Sequence, residues 1–170
     1  MNDKKDKNFK IRNTVKSDGP VLYQIAEKCP SLDLNSRYCY LLLCTQFDKY
    51  CLIAEAGEKP IGFVSAYPHP HQNDTLFLWQ IGVSPDFHNR GIGYLLLEHF
   101  FSLAVENGIT YIETTITPSN KASRAIFRKI TEAYKTNCVE SDYFHASLLG
   151  EEHEEERLLR IGPLKEKGDL

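Results

Sequence analysis

The stretch that decides the fold is VSPDFHNRGIGYLLLEHF, residues 83–100. A nearly continuous apolar run typical of a buried strand, TLFLWQIGV (75–83), leads into it, and an apolar pattern of helical spacing follows Gly91 and Gly93. The first N–H groups of a helix lack intrahelical partners and carry partial positive charge. The spacing therefore fits two structures equally well, a phosphate-binding junction and a simple tight turn.

Two better known glycine motifs do not fit this junction. The dinucleotide-binding pattern G-x-G-x-x-G requires a glycine at position 96, which is Leu96. A P-loop requires Gly-Lys followed by Ser or Thr, and the chain contains no such triplet. His88 and Arg90 add polar and cationic groups to the junction.

The length and composition of the chain predict one globular domain with a sizeable hydrophobic core. The chain has 170 residues, of which 42% are hydrophobic and 25% charged, and a net charge of −3 makes a nucleic-acid-binding surface an unfavourable hypothesis. Apolar runs fall short of the about 18 residues of a membrane span, and the charged N-terminus lacks the apolar core of a secretory signal. We expect a cytoplasmic protein in which residues 1–8 are a disordered lead-in and 9–170 form a single domain.

The cysteines are expected to be reduced and partly buried thiols. They are Cys29, Cys39, Cys44, Cys51 and Cys138. Their number is odd and no pair has C-x-x-C spacing. A nucleophilic cysteine is the lesser alternative, because no activating residue stands beside any of them.

The hydrophobic pattern predicts the element order βααβββαβαββ. Expected strands cover 9–12, 50–56, 61–67, 75–83, 110–117, part of 136–149 and 156–164, and expected helices cover 20–29, 37–47, 91–107 and 121–133. Three consecutive strands with short turns imply antiparallel pairing, and the two later helices are crossovers. The predicted class is α/β, with a mixed, mostly antiparallel central sheet and helices on both faces.

The block V-S-P-D-F-H-N-R-G-I-G-Y-L-L-L resembles the acetyl-CoA signature of the GCN5-related N-acetyltransferase (GNAT) superfamily, Q/R-x-x-G-x-G/A. Gly91 and Gly93 match it, and His88 at the Q/R position departs from it. The resemblance implies the GNAT fold with strands 4 and 5 splayed apart, acetyl-CoA as co-substrate, and a diphosphate held by backbone N–H groups. Asn120, which opens the helix after strand 5, matches a second cofactor contact. The cofactor positions implied are Ile81, Gly82, Val83, His88, Asn89, Arg90, Gly91, Ile92, Gly93 and Asn120.

Four further blocks resemble one branch of that superfamily more closely. They cover residues 29–44, 76–83, 114–123 and 153–161. The branch acetylates the small diamino acid L-2,4-diaminobutyrate during ectoine biosynthesis. The resemblance implies acetylation of the 4-amino group and a homodimer.

Such an acceptor carries two ammonium groups and one carboxylate, so its pocket needs acidic groups or aromatic faces. Asp33 lies in a loop between two helices, where a helix cap is the ordinary role of aspartate; the resemblance favours acceptor binding instead. Tyr38 and Tyr40 point in different directions on a helix, and we expect Tyr38, one turn from Asn35, to face the pocket. The substrate-binding positions implied are Asp33, Asn35, Tyr38, Trp79, Thr115, His153 and Glu156.

Trp79, the only tryptophan, lies two residues before Ile81 and shares its face if strand alternation holds. Its indole is expected either to hold an ammonium by cation–π attraction, about 1–2 kcal/mol, or to pack in the core. His153 and Glu156 belong to the acidic segment GEEHEEE, a composition usual for solvated loops. The strand that follows offers a way to bring them to the pocket. H-x-x-E alone supplies too few ligands for zinc, so no metal is expected.

The implied reaction is direct attack of a neutral amine on the thioester in a ternary complex, with Asp33, Glu156 and Val83 as catalytic residues. The N–H of Val83 would stabilise the oxyanion. Asp33 and Glu156 would bind ammonium groups first and remove a proton as a secondary role. Phe127 stands where many superfamily members have a tyrosine that protonates the leaving thiolate, so the proton donor stays open.

Three other functions stay open at this point. In the first, the enzyme acetylates a polyamine. In the second, it acetylates a protein N-terminus. In the third, the domain binds acetyl-CoA as a sensor and catalyses no reaction. Phe127 is compatible with the sensor hypothesis, because phenylalanine cannot protonate a leaving thiolate.

Overall fold

A computed structural model of the chain describes residues 9–150 and 152–165, so the predicted lead-in at 1–8 lies outside the described residues. The strands are β1 Phe9–Asn13, β2 Leu52–Ala56, β3 Lys59–Pro68, β4 Thr75–Val83, β5 Tyr111–Ile116, β6 Asn137–Phe144 and β7 Glu156–Gly162. The helices are α1 Gly19–Glu27, α2 Arg37–Gln46, α3 Ile92–Glu106, α4 Lys121–Ala133 and α5 Ala146–Leu149. The predicted order is confirmed; the four-residue α5 and three 3₁₀ turns are additions.

The seven strands form one mixed sheet in the order β1-β2-β3-β4-β5-β7-β6. Only β4 and β5 are parallel, and every other described pair is antiparallel. The mixed, mostly antiparallel sheet predicted from the sequence is therefore confirmed. Helix α3 supplies the crossover between the two parallel strands.

Each face of the sheet carries its own apolar core. Residues of α3 and α4 pack on one face, including Leu96, Phe100, Phe101, Phe127 and Ile130. Residues of α1 and α2 pack on the other, including Leu22, Ile25, Tyr40, Leu43 and Cys44. The spacing of these side chains along each helix is the one that places an apolar stripe on a single side. Among the described residues, no helix combines the length and the apolar character that crossing a bilayer requires.

Helices α2, α3 and α4 begin at well-defined N-cap residues. Gly91 takes the N-cap position of α3 in the left-handed conformation, with φ +79°. Ser36 caps α2, its Oγ accepting from the N–H of Cys39 at 3.2 Å. Asn120 caps α4, its Oδ1 accepting from the N–H of Ser123 at 3.1 Å. Side-chain caps of this kind satisfy donors that the helix itself leaves open.

The sheet opens between its two parallel strands. Pairing of β4 with β5 covers only three positions and ends at Phe77 and Glu113. Beyond that point β5 pairs with β7, while β4 continues beside β3 up to Val83. The splayed strand implied by the resemblance is present, and the gap lies directly before the glycine junction.

A β-bulge interrupts β4 at Trp79. Ser65 of β3 lies opposite Gln80 and the next residue, Ala66, lies opposite Leu78, so Trp79 is the inserted residue. Leu78 and Ile81 both pack in the core beneath α3 and α4. The expectation that Trp79 shares the face of Ile81 is therefore wrong, because the bulge breaks the alternation on which it rested.

Candidate active site

The gap between β4 and β5 leads to a cavity of about 130 Å³. Four segments meet there: the loop before α2, the bulged half of β4, the second half of β5 and the first turns of α4. The cavity is lined by Ser31, Leu32, Asp33, Leu78, Trp79, Gln80, Ile81, Thr114, Thr115, Ile116, Asn120, Ser123 and Phe127. Polar groups from distant parts of the chain thus meet beside an open strand edge.

The backbone of Val83 faces this gap. Gly62 and Val83 are opposite each other, and the N–H of Ser84 donates to the carbonyl of Ile61 at 2.8 Å. This pattern makes Gly62 and Val83 a non-hydrogen-bonded pair, so the N–H and C=O of Val83 point away from β3. The N–H predicted to stabilise an oxyanion therefore faces the side on which a thioester would lie.

His88 anchors the turn to the end of β4. Its Nε2 lies 2.8 Å from the carbonyl oxygen of Val83 and must carry the hydrogen, because a carbonyl only accepts. The Sγ of Cys29 donates to the same oxygen at 3.3 Å. The guanidinium of Arg90 lies over the Phe87 ring, 5.0 Å from its centroid. The residue that departs from the signature thus positions backbone, while Arg90 remains an exposed cation beside the junction.

The glycine junction has the geometry of an anion site. Asn89 and Gly91 both have positive φ, at 59° and 79°, which turns the chain sharply into α3. A Cβ on Gly93 would approach the Cδ1 of Ile126 to 3.1 Å, so this glycine permits close packing of α3 against α4. The N–H groups of Ile92 and Gly93 precede the first hydrogen bond of the helix. These donors fit the diphosphate of coenzyme A.

Gly82 has a different explanation from the one implied by the signature. A Cβ there would lie 2.8 Å from the Phe63 ring and 3.0 Å from the Cδ1 of Leu32. Glycine at this position therefore lets the loop before α2 pack closely against β4.

Three of the predicted acceptor residues line the cavity: Asp33, Trp79 and Thr115. Trp79 keeps 37% of its surface exposed, and its ring meets that of Tyr67 edge-on, with centroids 6.5 Å apart. Asn120 also lines the cavity, although its Oδ1 is occupied by capping α4. An acidic side chain and an aromatic face therefore border the same space, as a cationic acceptor requires.

Glu156 lies beside this group without lining the cavity itself. Its Oε2 is buried and has no hydrogen-bond partner among the described residues. Burial raises the pKa of Glu156; the neighbouring Thr115 opposes the rise, and the charge of Asp33 adds to it. A buried carboxylate oxygen without a donor, close to a second carboxylate, is suited to receive a cation.

The acidic segment is tied to the turn before α4. The carboxylate of Glu154 accepts from the N–H of Ser119 at 3.2 Å and also from its hydroxyl. His153 is exposed and does not line the cavity; its backbone N–H donates to Gly150 at 3.1 Å. Within residues 9–150 and 152–165, no three His, Cys, Asp or Glu side chains are arranged to hold a metal ion.

Tyr38, which we expected to face the pocket, does not line the cavity of this chain, and neither does Tyr40. Tyr38 is 69% exposed, whereas Tyr40 is fully buried and its hydroxyl donates to the Oε1 of Gln80 at 3.0 Å. The wide apolar face of α2 makes both directions plausible from the sequence. Asn35 does not line the cavity either; its side-chain amide donates to the carbonyl of Asp33 at 3.4 Å.

Several residues of the cavity wall are not predicted from the sequence. Gln80 is the clearest, because a glutamine inside the apolar run TLFLWQIGV signals a buried polar group that needs partners. Phe127 lines the wall and carries no proton to donate, and Ser123, one turn earlier, presents a hydroxyl to the same cavity. For Ser31 and Leu32 the sequence offers no signal.

The cysteines do not supply a nucleophile. Burial raises the pKa of all five thiols, and that of Cys44 reaches about 11. Each is a free thiol. They therefore stay protonated near neutral pH. Cys29, Cys44 and Cys51 are buried in agreement with a packing role, whereas Cys138 is exposed.

Comparison with known proteins agrees with this geometry. The model of the acetyltransferase (GNAT) family matches residues 20–131. The L-2,4-diaminobutyric acid acetyltransferase of Shouchella clausii is 44% identical over 149 residues, which cover 87% of this chain and 83% of that protein.

Solved structures give the same result. The diaminobutyrate acetyltransferase EctA from Paenibacillus lautus, in complex with L-2,4-diaminobutyric acid and coenzyme A, has 34% identity and a TM-score of 0.86, covering 91% of this chain and 95% of that one. The ribosomal-protein-S18-alanine N-acetyltransferase from Escherichia coli, 18% identical with a TM-score of 0.69 and covering 92% and 94%, shares the fold. The chain therefore belongs to the GNAT acetyltransferase family, in the group of the L-2,4-diaminobutyric acid acetyltransferases.

Proposed function

We propose that this enzyme transfers the acetyl group of acetyl-CoA to the 4-amino group of L-2,4-diaminobutyrate, giving the N4-acetyl product used in ectoine biosynthesis. One observation carries the proposal. The cavity at the β4–β5 gap has Asp33 in its wall and Glu156 near it, on the side reached from the open edge of β4. Two carboxylates and an indole suit an acceptor with two positive charges.

On the cofactor side, the backbone does most of the binding. The N–H groups at the start of α3 would hold the diphosphate, and the open edge of β4 would hydrogen-bond the pantetheine arm. The N–H of Val83 would then donate to the oxygen that becomes negative as the amine attacks. Because these donors are fixed by the sheet and the helix, they need no rearrangement during the reaction.

On the acceptor side, charged and aromatic side chains do the work. Asp33 and Glu156 would hold ammonium groups, and Trp79 would cover one of them with its ring face. An alkylammonium has a pKa near 10 and must lose a proton before attack. Burial, which raises the pKa of Glu156, makes it a better proton acceptor than an ordinary glutamate, so we assign proton removal to it as a secondary role.

The leaving thiolate must be stabilised without the usual tyrosine, because Phe127 occupies that place. The hydroxyl of Ser123, one turn before Phe127 on α4, lines the same cavity and is the donor we assign to this role. Coenzyme A thiolate also leaves readily by itself, since thiols have pKa values near 8.5.

The proposal includes a homodimer in the cytoplasm. Apolar side chains stand exposed along β6 and α5, among them Val139, Tyr143, Phe144 and Leu148, which suits an interface with a second copy. Five thiols without a disulfide suit a reducing compartment. Light scattering during gel filtration tests the dimer: the monomer mass at micromolar concentration would contradict it.

The activity is tested by measuring coenzyme A release with 2,4-diaminobutyrate, with putrescine and with a peptide N-terminus. We expect a clear preference for the diamino acid, and an NMR spectrum of the product with the acetyl group on the 4-amino nitrogen. Equal turnover of several diamines would refute the specificity. Acetyl-CoA binding without release of thiol from any amine would identify a sensor instead.

A further inference from the structure

Two buried polar side chains connect β4 and α2 to the loop that carries Asp33. Gln80 is 5% exposed and Tyr40 is fully buried. The Nε2 of Gln80 donates to the backbone carbonyl of Asp33 at 2.8 Å, and its Oε1 accepts from the Tyr40 hydroxyl at 3.0 Å. The orientation of the amide follows from chemistry, because a carbonyl oxygen only accepts.

The Tyr40 hydroxyl acts as the donor of this pair. Burial raises the pKa of Tyr40 above that of an ordinary tyrosine. The phenol therefore keeps its proton at neutral pH and can donate to Gln80. The Tyr40–Gln80 pair thus holds the loop at the carbonyl of Asp33, which also accepts from the side-chain amide of Asn35 at 3.4 Å.

The bulge at Trp79 makes this arrangement possible. With regular alternation Gln80 would share the face of Leu78, under α3 and α4. The inserted residue turns Gln80 to the opposite face, where α2 and the loop lie. The bulge therefore directs the amide of Gln80 to the carbonyl of Asp33.

We propose that the Tyr40–Gln80 pair positions the Asp33 carboxylate in the cavity and thereby sets the affinity for the amine acceptor. The inference rests on the proposed role of Asp33 in ammonium binding. Tyr40 does not line the cavity, so it acts through Gln80 and the loop. A purely structural pair would stabilise the fold and affect both substrates alike.

The test uses Tyr40→Phe, which removes one hydroxyl, and Gln80→Met, which keeps the length of the side chain but removes both hydrogen bonds. Tyr23→Phe is the matched control. The Tyr23 ring packs edge-on against Tyr40 at 6.2 Å, while its hydroxyl is directed to Glu27 on the exposed side of α1. The control thus removes the same atom from the same cluster without a link to the loop.

We expect Tyr40→Phe to raise the acceptor KM about fivefold and Gln80→Met about tenfold, the effect of losing one or two buried hydrogen bonds. The affinity for acetyl-CoA and the kcat should change less than about twofold, within the scatter of distant substitutions. The double variant should resemble Gln80→Met, because the two residues act as one unit. Tyr23→Phe should behave as wild type.

Hydrogen exchange of residues 31–36 without substrates gives a second readout. We expect faster exchange there in Tyr40→Phe and not in Tyr23→Phe. An unchanged acceptor KM in Tyr40→Phe, or an equal loss of acetyl-CoA affinity, would overturn the proposal, even if Gln80→Met does not fold. Should the wild type leave the diamino acid unreacted, the proposed function fails, and the exchange comparison still decides whether the pair orders the loop.

Discussion

The cofactor end and the acceptor end of the active site use different chemical groups: backbone N–H groups at one end and side chains at the other. At the cofactor end, the donors are backbone groups of one continuous segment, β4 and the turn into α3. At the acceptor end, side chains from the loop before α2, the bulge in β4, the middle of β5 and the start of β7 come together. One end depends on the path of a single stretch of chain, and the other depends on the entire tertiary structure.

The difference explains how each end can fail. Backbone donors survive most substitutions, because any residue with the right φ and ψ supplies the same N–H. Side-chain ligands are lost one at a time, and each requires its supporting loop or strand to be in place. We therefore expect acceptor binding to be the more fragile property, and four substitutions separate the two ends.

The largest effect is expected from Asp33→Asn. It keeps the shape of the side chain and removes the charge that would pair with an ammonium group. The acceptor KM should rise by about 10- to 100-fold, the range for hydrogen bonds to charged groups, with acetyl-CoA affinity unchanged. Steady-state kinetics with each substrate varied in turn measures both. Asp48→Asn, at an exposed carboxylate outside the cavity, is the control. An equal loss of acetyl-CoA affinity would show that the two ends are not separable.

Trp79→Leu should have the next largest effect. Loss of the indole face removes a cation–π contact of about 1–2 kcal/mol, which corresponds to roughly a 5- to 30-fold higher acceptor KM. Trp79→Phe keeps a weaker ring face and should lie between the two. If Phe and Leu give the same KM, the indole contributes packing only, and the aromatic part of the acceptor end is wrong.

Gly91→Ala tests the cofactor end, and Gly57→Ala is its matched control. The two glycines have φ +79° and φ +62°, and a Cβ added to either would meet no atom within 4 Å. Alanine should cost about 1–2 kcal/mol of stability at either site, from the same backbone strain. Only Gly91→Ala should also weaken acetyl-CoA binding, by about fivefold in calorimetry, a change of about 1 kcal/mol. If both variants bind acetyl-CoA with equal affinity, the glycine junction is not part of the cofactor site.

Glu156→Gln should stabilise the fold while it impairs the acceptor end. The pKa of Glu156 is raised in the folded protein, chiefly by burial, so its ionised form is disfavoured there. The Tm of Glu156→Gln should therefore exceed that of the wild type at any pH above the raised pKa of folded Glu156. The difference should disappear when the pH falls below the pKa of an ordinary glutamate, because the carboxyl is then protonated in both the folded and the unfolded chain. Calorimetric unfolding across this pH range measures it. A Tm that falls at neutral pH would mean that the carboxylate has partners in the fold.

The cofactor end of the site is also easier to predict from the sequence than the acceptor end. The strand-to-helix junction at 83–100 and the cap at Asn120 are predictable, because each is determined within a short segment. The opened β4–β5 edge involves pairing with β7 and is implied by the family resemblance alone. The bulge at Trp79 is not predictable, since it depends on the register with β3. Without the bulge, the direction of Gln80 cannot be derived, and neither can the choice between Tyr38 and Tyr40.

The acceptor end is predicted by residue type more than by geometry. Asp33, Trp79 and Thr115 reach the cavity, whereas Asn35, Tyr38 and His153 do not line it. The position of an exposed side chain in a loop depends on contacts that no local pattern encodes. The buried Oε2 of Glu156 belongs to the same category, because its isolation results from packing between β7 and its neighbours.

The most direct test of the account is a crystal structure with coenzyme A and L-2,4-diaminobutyrate bound together. We expect the pantetheine arm in the gap between β4 and β5, with its diphosphate at the N–H groups of Ile92 and Gly93. The 4-amino nitrogen should lie next to the sulfur, and the acceptor should contact Asp33 and Trp79. Density for the diamino acid outside this cavity, or for the pantetheine arm away from the open edge of β4, would contradict the account.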